Sequence, residues 1–203
     1  GSLEDAQASA AVGQIQLCSL WAELLNNHGL LAGQLLLTLD DFEGRRRYLN
    51  ATATIHRLLD TGVIPIINEN DSVATHELRF GDNDRLAARV AHAARASAVI
   101  LLSDVDGLYD RNPKEKGAKR IDVVEGVTKN IREMATGESA SGMGSGGMST
   151  KVKAAEITQI AGVALAIANG RYERPIERLT REEIGTLFLP RRRKAGARKA
   201  WLG

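Results

Sequence analysis

A single cysteine, Cys18, is all the thiol in this 203-residue chain. An intramolecular disulfide is therefore excluded, and such sparing use fits a reducing compartment. The spacing of Ile15, Leu17, Trp21 and Leu24 around Cys18 predicts a buried helical position rather than a reactive thiol. Long apolar runs are also missing. The most apolar stretches, Leu30 to Leu37 and Val99 to Leu102, stop far short of the roughly 18 residues a membrane span needs, so no membrane segment is expected. The opening Gly1-Ser2-Leu3-Glu4-Asp5 has neither the basic start nor the apolar centre of a signal peptide. The expected location is cytoplasmic. No internal repeat or low-complexity tract is present. Acids are absent from residues 191–203, where six of the 27 basic residues are collected (Arg191, Arg192, Arg193, Lys194, Arg198, Lys199). Without them the bases no longer outnumber the 25 acids, so the net charge of +2 belongs to the tail and the body is mildly acidic. The tail reads as a solvated terminus, as a linker into a further domain, or as a patch attracting RNA phosphates.

What is present suits a globular core: 43% of residues are hydrophobic and 26% charged. Helical periodicity over residues 4–27 stops at Asn26, Asn27 and Gly29. A strand follows from Leu30 to Thr38, a helix from Arg45 to Asp60, a strand from Val63 to Ile67, a helix from Asp82 to Ala96 and a strand from Ala98 to Leu102. That third strand is apolar on both faces, as when helices cover both sides of a parallel sheet. Further helices are expected over Asn130–Thr136 and Lys151–Ala161, a strand over Val163–Ala168, a short helical turn over Glu182–Gly185 and a last strand over Thr186–Leu189. Alternation of this kind predicts the α/β class, a three-layer αβα sandwich with a mainly parallel sheet.

Open parallel sheets place ligands beyond the carboxyl ends of their strands, and the polar clusters obey that rule. Asn68, Glu69, Asn70 and Asp71 follow one strand, and Ser103, Asp104 and Asp106 follow the next. Carboxylates and amides packed into a loop suit an ammonium group or a metal-bound phosphate. Gly81, Asp82, Asn83 and Asp84 stand directly before a helix, where Asp and Asn are favoured caps. Taken singly, these are an ordinary turn and an ordinary cap; two acid–amide clusters flanking one connection exceed what capping needs. The run from Gly142 through Ser145, Gly146, Gly147, Met148, Ser149 and Thr150 to Lys151 enters a helix. Its glycines let backbone N–H groups approach a phosphate, the helix start adds partial positive charge and Lys151 a full one. The run is not a Walker A loop, because Lys151 does not directly follow a glycine. Gly142, Gly144 and Gly147 fit G-x-G-x-x-G, but no strand precedes them and no acid lies about 20 residues on, so a dinucleotide reading fails. A Gly/Ser linker remains the bland alternative.

The runs Ile66-Ile67-Asn68-Glu69-Asn70-Asp71-Ser72-Val73-Ala74-Thr75, Phe80-Gly81-Asp82-Asn83-Asp84, Leu101-Leu102-Ser103-Asp104-Val105-Asp106-Gly107-Leu108-Tyr109 and Gly146-Gly147-Met148-Ser149-Thr150-Lys151 stand in the order found in the amino acid kinase family. They resemble those members that act on glutamate. The resemblance reaches about Leu189, which sets a kinase domain at residues 1–190, and residues 191–203 resemble the approach to an RNA-binding-type PUA domain. It implies ATP-dependent phosphorylation of the γ-carboxylate of L-glutamate, the first step toward proline, with Mg²⁺ carried by the nucleotide and no dedicated metal site. Asp71 and Asn83 would hold the amino acid, Ser103 and Asp104 would contact the nucleotide, and Ser145, Gly146, Gly147, Met148, Ser149, Thr150 and Lys151 would wrap its phosphates. Lys151 would also be catalytic, stabilising the transferring phosphoryl, with Asp84 orienting the catalytic lysines. Proline as feedback inhibitor, a homo-oligomer, and RNA contacts only through a further carboxyl-terminal domain belong to the same expectation. Family members begin with a strand, a glycine-rich turn and a second lysine that this sequence does not show, so an amino-terminal portion is expected to be missing and the 203 residues alone to be inactive. The rivals are a kinase acting on acetylglutamate, aspartate or UMP, and a non-catalytic nucleotide-binding or RNA-associated module.

Overall fold

The computed structural model describes residues 2–73, 83–137, 147–182 and 184–191. The chain divides into two compact units, Gly1–Ala94 and Arg95–Gly203.

In the first unit the order is α1 (Leu3–Asn26), β1 (Leu31–Leu37), a 3₁₀ turn (Leu39–Phe42), α2 (Arg45–Asp60), β2 (Val63–Glu69) and α3 (Asn83–Ala93). Ser2 starts α1 with a reciprocal cap: its hydroxyl accepts from Asp5 N–H (3.2 Å) while the Asp5 carboxylate accepts from Ser2 N–H (3.1 Å). Strands β1 and β2 pair in parallel, Leu31 opposite Val63 through Leu37 opposite Glu69. Helix α1 packs on β1, and α2 and α3 pack on β2. Leu37, Ala51 and Leu86 form the buried centre, joined by Leu35, Leu39, Phe42, Ile67 and Val90. Leu86 lies in the first turn of α3 and Leu37 ends β1, so this core draws the start of α3 to the carboxyl edge of the sheet.

In the second unit β3 (Ala98–Ser103), β4 (Val123–Val124), α4 (Lys129–Gly137), α5 (Met148–Ala161), β5 (Ala164–Asn169), α6 (Pro175–Arg181) and β6 (Thr186–Phe188) build a sheet of order β3-β5-β6-β4. The β3–β5 and β4–β6 pairs are parallel and β5–β6 is antiparallel. Strand β5, paired on both sides, buries Leu165 to Ala168. Helix α5 ends on Gly162, left-handed at φ 78°, whose N–H donates to Gln159 O while Val163 N–H donates to Thr158 O (2.9 Å). The chain then enters β5 directly. Fourteen helical residues span about 21 Å and six strand residues about 20 Å, so the start of α5 returns to the carboxyl edge of β3 and β5.

The α/β class with mainly parallel pairing is what the sequence predicts. The details differ in four places. The described strands form two sheets, because β1 and β2 pair only with each other. Strand β3 is an edge strand that alternates, Val99 and Leu101 buried against exposed Ile100 and Leu102, rather than being covered on both faces. The short helix lies at Pro175–Arg181, where Pro175 opens the first turn and Glu177 pairs with Arg174 and Arg181, and not at residues 182–185. Cys18 is half-exposed, because α1 buries none of its residues.

Candidate functional site

The residues singled out by sequence gather in two places, one in each unit. In the first unit Asn68 and Glu69 close β2, and the chain turns at once: Asn70 N–H donates to Leu37 O (2.9 Å), Ser72 Oγ donates to Asn70 Oδ1 (2.6 Å) and Val73 N–H donates to Asn70 O (3.1 Å). Asp71 sits at the tip of this turn. Burial alone holds its carboxyl above the usual carboxylate range. A cleft of about 180 Å³ opens here, lined by Gln14 and Ile15 of α1, Gln34 of β1, and Glu69, Asn70 and Asp71. That is several times the roughly 30 Å³ a water occupies in the liquid. Asn68 Nδ2 donates to Gln14 Oε1 (2.7 Å), and Gln14 Nε2 is buried without a hydrogen-bond partner. Asn83 and Asp84 open α3 at this same edge, Asn83 exposed and Asp84 half-buried. Sequence reading missed Gln14 and Gln34: a glutamine in a helix or strand carries no local signal, and only the packing of α1 on β1 brings the two to the cleft.

In the second unit Ser103 ends β3, and its hydroxyl donates to Asp104 Oδ1 (3.1 Å). Two bonds from the neighbouring strand secure this end: Gly170 N–H donates to Ser103 O (2.8 Å) and Asn169 Nδ2 donates to Asp104 O (3.3 Å). Asp104 is exposed. Gly147 is the cap of α5, and Thr150 returns both its N–H (3.0 Å) and its hydroxyl (2.8 Å) to Gly147 O. Met148 and Lys151 are buried, Lys151 at 6% exposure, while Ser149 and Thr150 are half-buried. By the geometry of α5, residues 147–151 lie at the carboxyl edge that also carries Ser103, Asp104 and Asn169. Ser145 and Gly146 lie outside the described residues, as do residues 192–203 of the basic tail. Beyond Asp104, Asp106 accepts from Tyr109 Oη (3.1 Å) and faces Arg120 (3.7 Å). Burial, then the charge of Asp106 and its hydrogen bond, push the Tyr109 hydroxyl up from its ordinary pKa.

One arrangement suits a nucleotide: the N-terminus of α5 with its buried Lys151 and the exposed Asp104 lie toward the same edge of a parallel strand pair. Among the described residues no group of three or more His, Cys, Asp or Glu is arranged to hold a metal ion, and no helix is long and apolar enough to cross a membrane.

Parallel strands with helical returns, and polar clusters at their carboxyl ends, define an α/β fold of the kind that places ligands at strand ends. The chain belongs to the amino acid kinase family, whose model matches residues 1–169. It is 65% identical over 203 residues to the glutamate 5-kinase of Novosphingobium aromaticivorans, covering 100% of this chain and 54% of that protein. It is 62% identical over 201 residues to the glutamate 5-kinase of Sphingopyxis alaskensis, covering 99% of this chain and 54% of that protein. The chain thus spans about half the length of the curated relatives it matches. The UMP kinase of Ureaplasma parvum shares the fold, with a TM-score of 0.54 at 18% identity over 86% of this chain and 66% of that one.

Proposed function

We propose that the full-length protein transfers the γ-phosphoryl group of ATP to the γ-carboxylate of L-glutamate, giving glutamyl 5-phosphate and ADP, the first step of proline biosynthesis. The single observation that carries this reading is the 65% identity to a glutamate 5-kinase along the whole chain. The two clusters support it, because the reaction needs one group of residues suited to an amino acid and another suited to a polyphosphate. Asp71 and Asn83 are assigned to the amino acid, with the Asp71 carboxylate facing the α-ammonium. Ser103, Asp104 and residues 145–151 are assigned to the nucleotide, Lys151 to charge on the transferring phosphoryl, and Asp84 to orienting lysine side chains. A γ-carboxylate oxygen attacks the γ-phosphorus, the bond to the β,γ-bridging oxygen breaks, and ADP leaves with its electron pair. Glutamate's carboxylate is already ionised at neutral pH, so no general base is required and catalysis reduces to positioning and to neutralising the phosphoryl oxygens. Mg²⁺ arrives with the nucleotide phosphates. Inhibition by proline, self-association, a cytoplasmic location and RNA contact through a further domain complete the proposal. Hydroxylamine trapping of acyl phosphate with glutamate, aspartate and acetylglutamate, and ADP release with UMP, measured in parallel, test it. Glutamate is expected to give the dominant signal, and a preference for any competitor overturns the assignment.

A further inference from the structure

We infer that Thr186 is a positioning residue for nucleotide binding, its buried hydroxyl locking the turn that carries Ser103 and Asp104. The inference rests on the assignment of that turn to ATP.

Thr186 is fully buried on β6, where it pairs with Ile167 of β5. A β-branched residue in a strand needs no hydroxyl to pack, and a buried hydroxyl is costly unless its bonds are made. Here both are made, and to one place. Leu108 N–H donates to Thr186 Oγ1 (2.8 Å), and Thr186 Oγ1 donates to Ile121 O (2.7 Å). Ile121 N–H in turn donates to Leu108 O (2.8 Å). One side chain therefore closes both strands at the neck of the 109–120 excursion. Gly107 sits at φ 154°, and a Cβ there would lie 2.5 Å from Thr186 Oγ1, so the approach of the turn to the hydroxyl requires glycine at that position.

The functional consequence follows from what lies just upstream. Asp104 is anchored at its carbonyl by Asn169. Four residues later, the next anchor to β5 or β6 is Leu108 on Thr186. The segment 104–108 is thus tied to β5 by Asn169 at the Asp104 carbonyl and to β6 by Thr186 at the Leu108 N–H, with Asp106 held by Tyr109 and Arg120 between them. Loss of the Thr186 hydroxyl would leave the buried Leu108 N–H without its acceptor and the Ile121 carbonyl without this donor, untying the segment from β6. Ser103 and Asp104 would remain present but less well placed.

The test is Thr186→Val in the full-length protein, with Thr186→Ser as the conservative variant and Asp104→Ala as a reference for the site. ATP affinity by calorimetry and steady-state KM for both substrates are read together. Thr186→Val is expected to weaken ATP binding about tenfold, within the scale of the two buried hydrogen bonds it removes, while KM for glutamate stays within about twofold and Thr186→Ser restores ATP affinity. A purely structural role would instead lower the melting temperature with ATP and glutamate affected alike, and that result overturns the proposal. So does unchanged ATP affinity in folded Thr186→Val beside a weakened Asp104→Ala. If the valine variant does not fold, Thr186→Ala is measured against the same two outcomes. Wild-type protein that fails to bind ATP, or an Asp104→Ala variant that binds it unchanged, overturns the assignment of the turn itself and the inference with it.

Discussion

A carboxylate that is to hold an ammonium group must be ionised, yet burial works against that charge, and Asp71 is where the two demands meet. Its folded-state pKa is raised by desolvation, so the native state binds this proton more tightly than the unfolded chain. The stability that Asp71 contributes is therefore fully present below its unfolded-state pKa and is lost as pH rises through the raised folded-state value. Asp71→Asn should raise the melting temperature of the ligand-free protein at neutral pH. The same change should weaken glutamate binding by on the order of ten- to a hundredfold, since it deletes a charge-assisted contact. Lowering the pH toward the acid range should erode glutamate affinity earlier in the wild type than in Asp71→Asn, because only the wild type has this carboxyl to protonate. Thermal scans and calorimetric titrations at several pH values check both halves, and a variant that loses stability while keeping affinity would exclude the ammonium-binding role. Lys151 poses a different problem, being buried at 6% exposure in the first turn of α5. Lys151→Met keeps most of the volume and removes the charge. It should lower kcat by on the order of 10²–10³ with little change in KM for glutamate, as for loss of a group whose interaction grows in the transition state. Lys151→Arg should recover only part, since a planar fork does not reproduce a compact point charge. Rates within a fewfold of wild type for Lys151→Met would remove the phosphate-cradle reading.

At the level of elements, the position of Lys151 depends on how α5 ends as much as on how it begins. Gly162 closes the helix in the left-handed region at φ 78°, and the chain passes from there into the buried strand β5. An alanine would have open space around its Cβ, so the penalty is purely conformational. Gly162→Ala should cost about 1–2 kcal/mol, seen as a lower denaturation midpoint with an unchanged slope. An unaltered midpoint would mean that the α5–β5 junction tolerates a second conformation. This junction also shows what a sequence discloses. The helix expected over Lys151–Ala161 and the strand expected over Val163–Ala168 are local features, and both were legible. So was the placing of Asn68 to Asp71 after one strand and of Ser103 and Asp104 after another, because parallel sheets with helical returns leave polar residues there. Pairing is not local. Nothing in Thr186-Leu187-Phe188 discloses that this strand runs antiparallel to β5, nor that two residues, Val123 and Val124, form a fourth strand beside it. For the same reason Thr186 reads as an ordinary strand threonine until Leu108 and Ile121 are brought to it from more than sixty positions away. Cys18 was misplaced because helical spacing identifies an apolar face but not whether anything covers it.

For the whole molecule, that uncovered face is a demand the described residues of the first unit do not meet. Leu17, Leu20, Trp21 and Leu24 follow the i, i+3, i+4, i+7 spacing of one helix face, and they are 43%, 53%, 46% and 50% exposed, with no residue of α1 buried. A contiguous apolar surface of this kind is retained in a folded protein where something else covers it. Self-association, as proposed for the full-length protein, would cover it with no further component. Leu20→Glu combined with Leu24→Glu places two charges one turn apart in the middle of the face, where each would lose hydration on association. Light scattering coupled to gel filtration should then show an oligomer for the wild type and a monomer for the double variant, with the helical signal in circular dichroism retained. Trp21 is one of two tryptophans, and its emission should shift to the red as the face is released to water. A variant that unfolds instead of dissociating would assign the face to another part of the same polypeptide. A wild-type protein that is already monomeric at tens of micromolar, with the red-shifted emission of an exposed Trp21, would rule out association through α1.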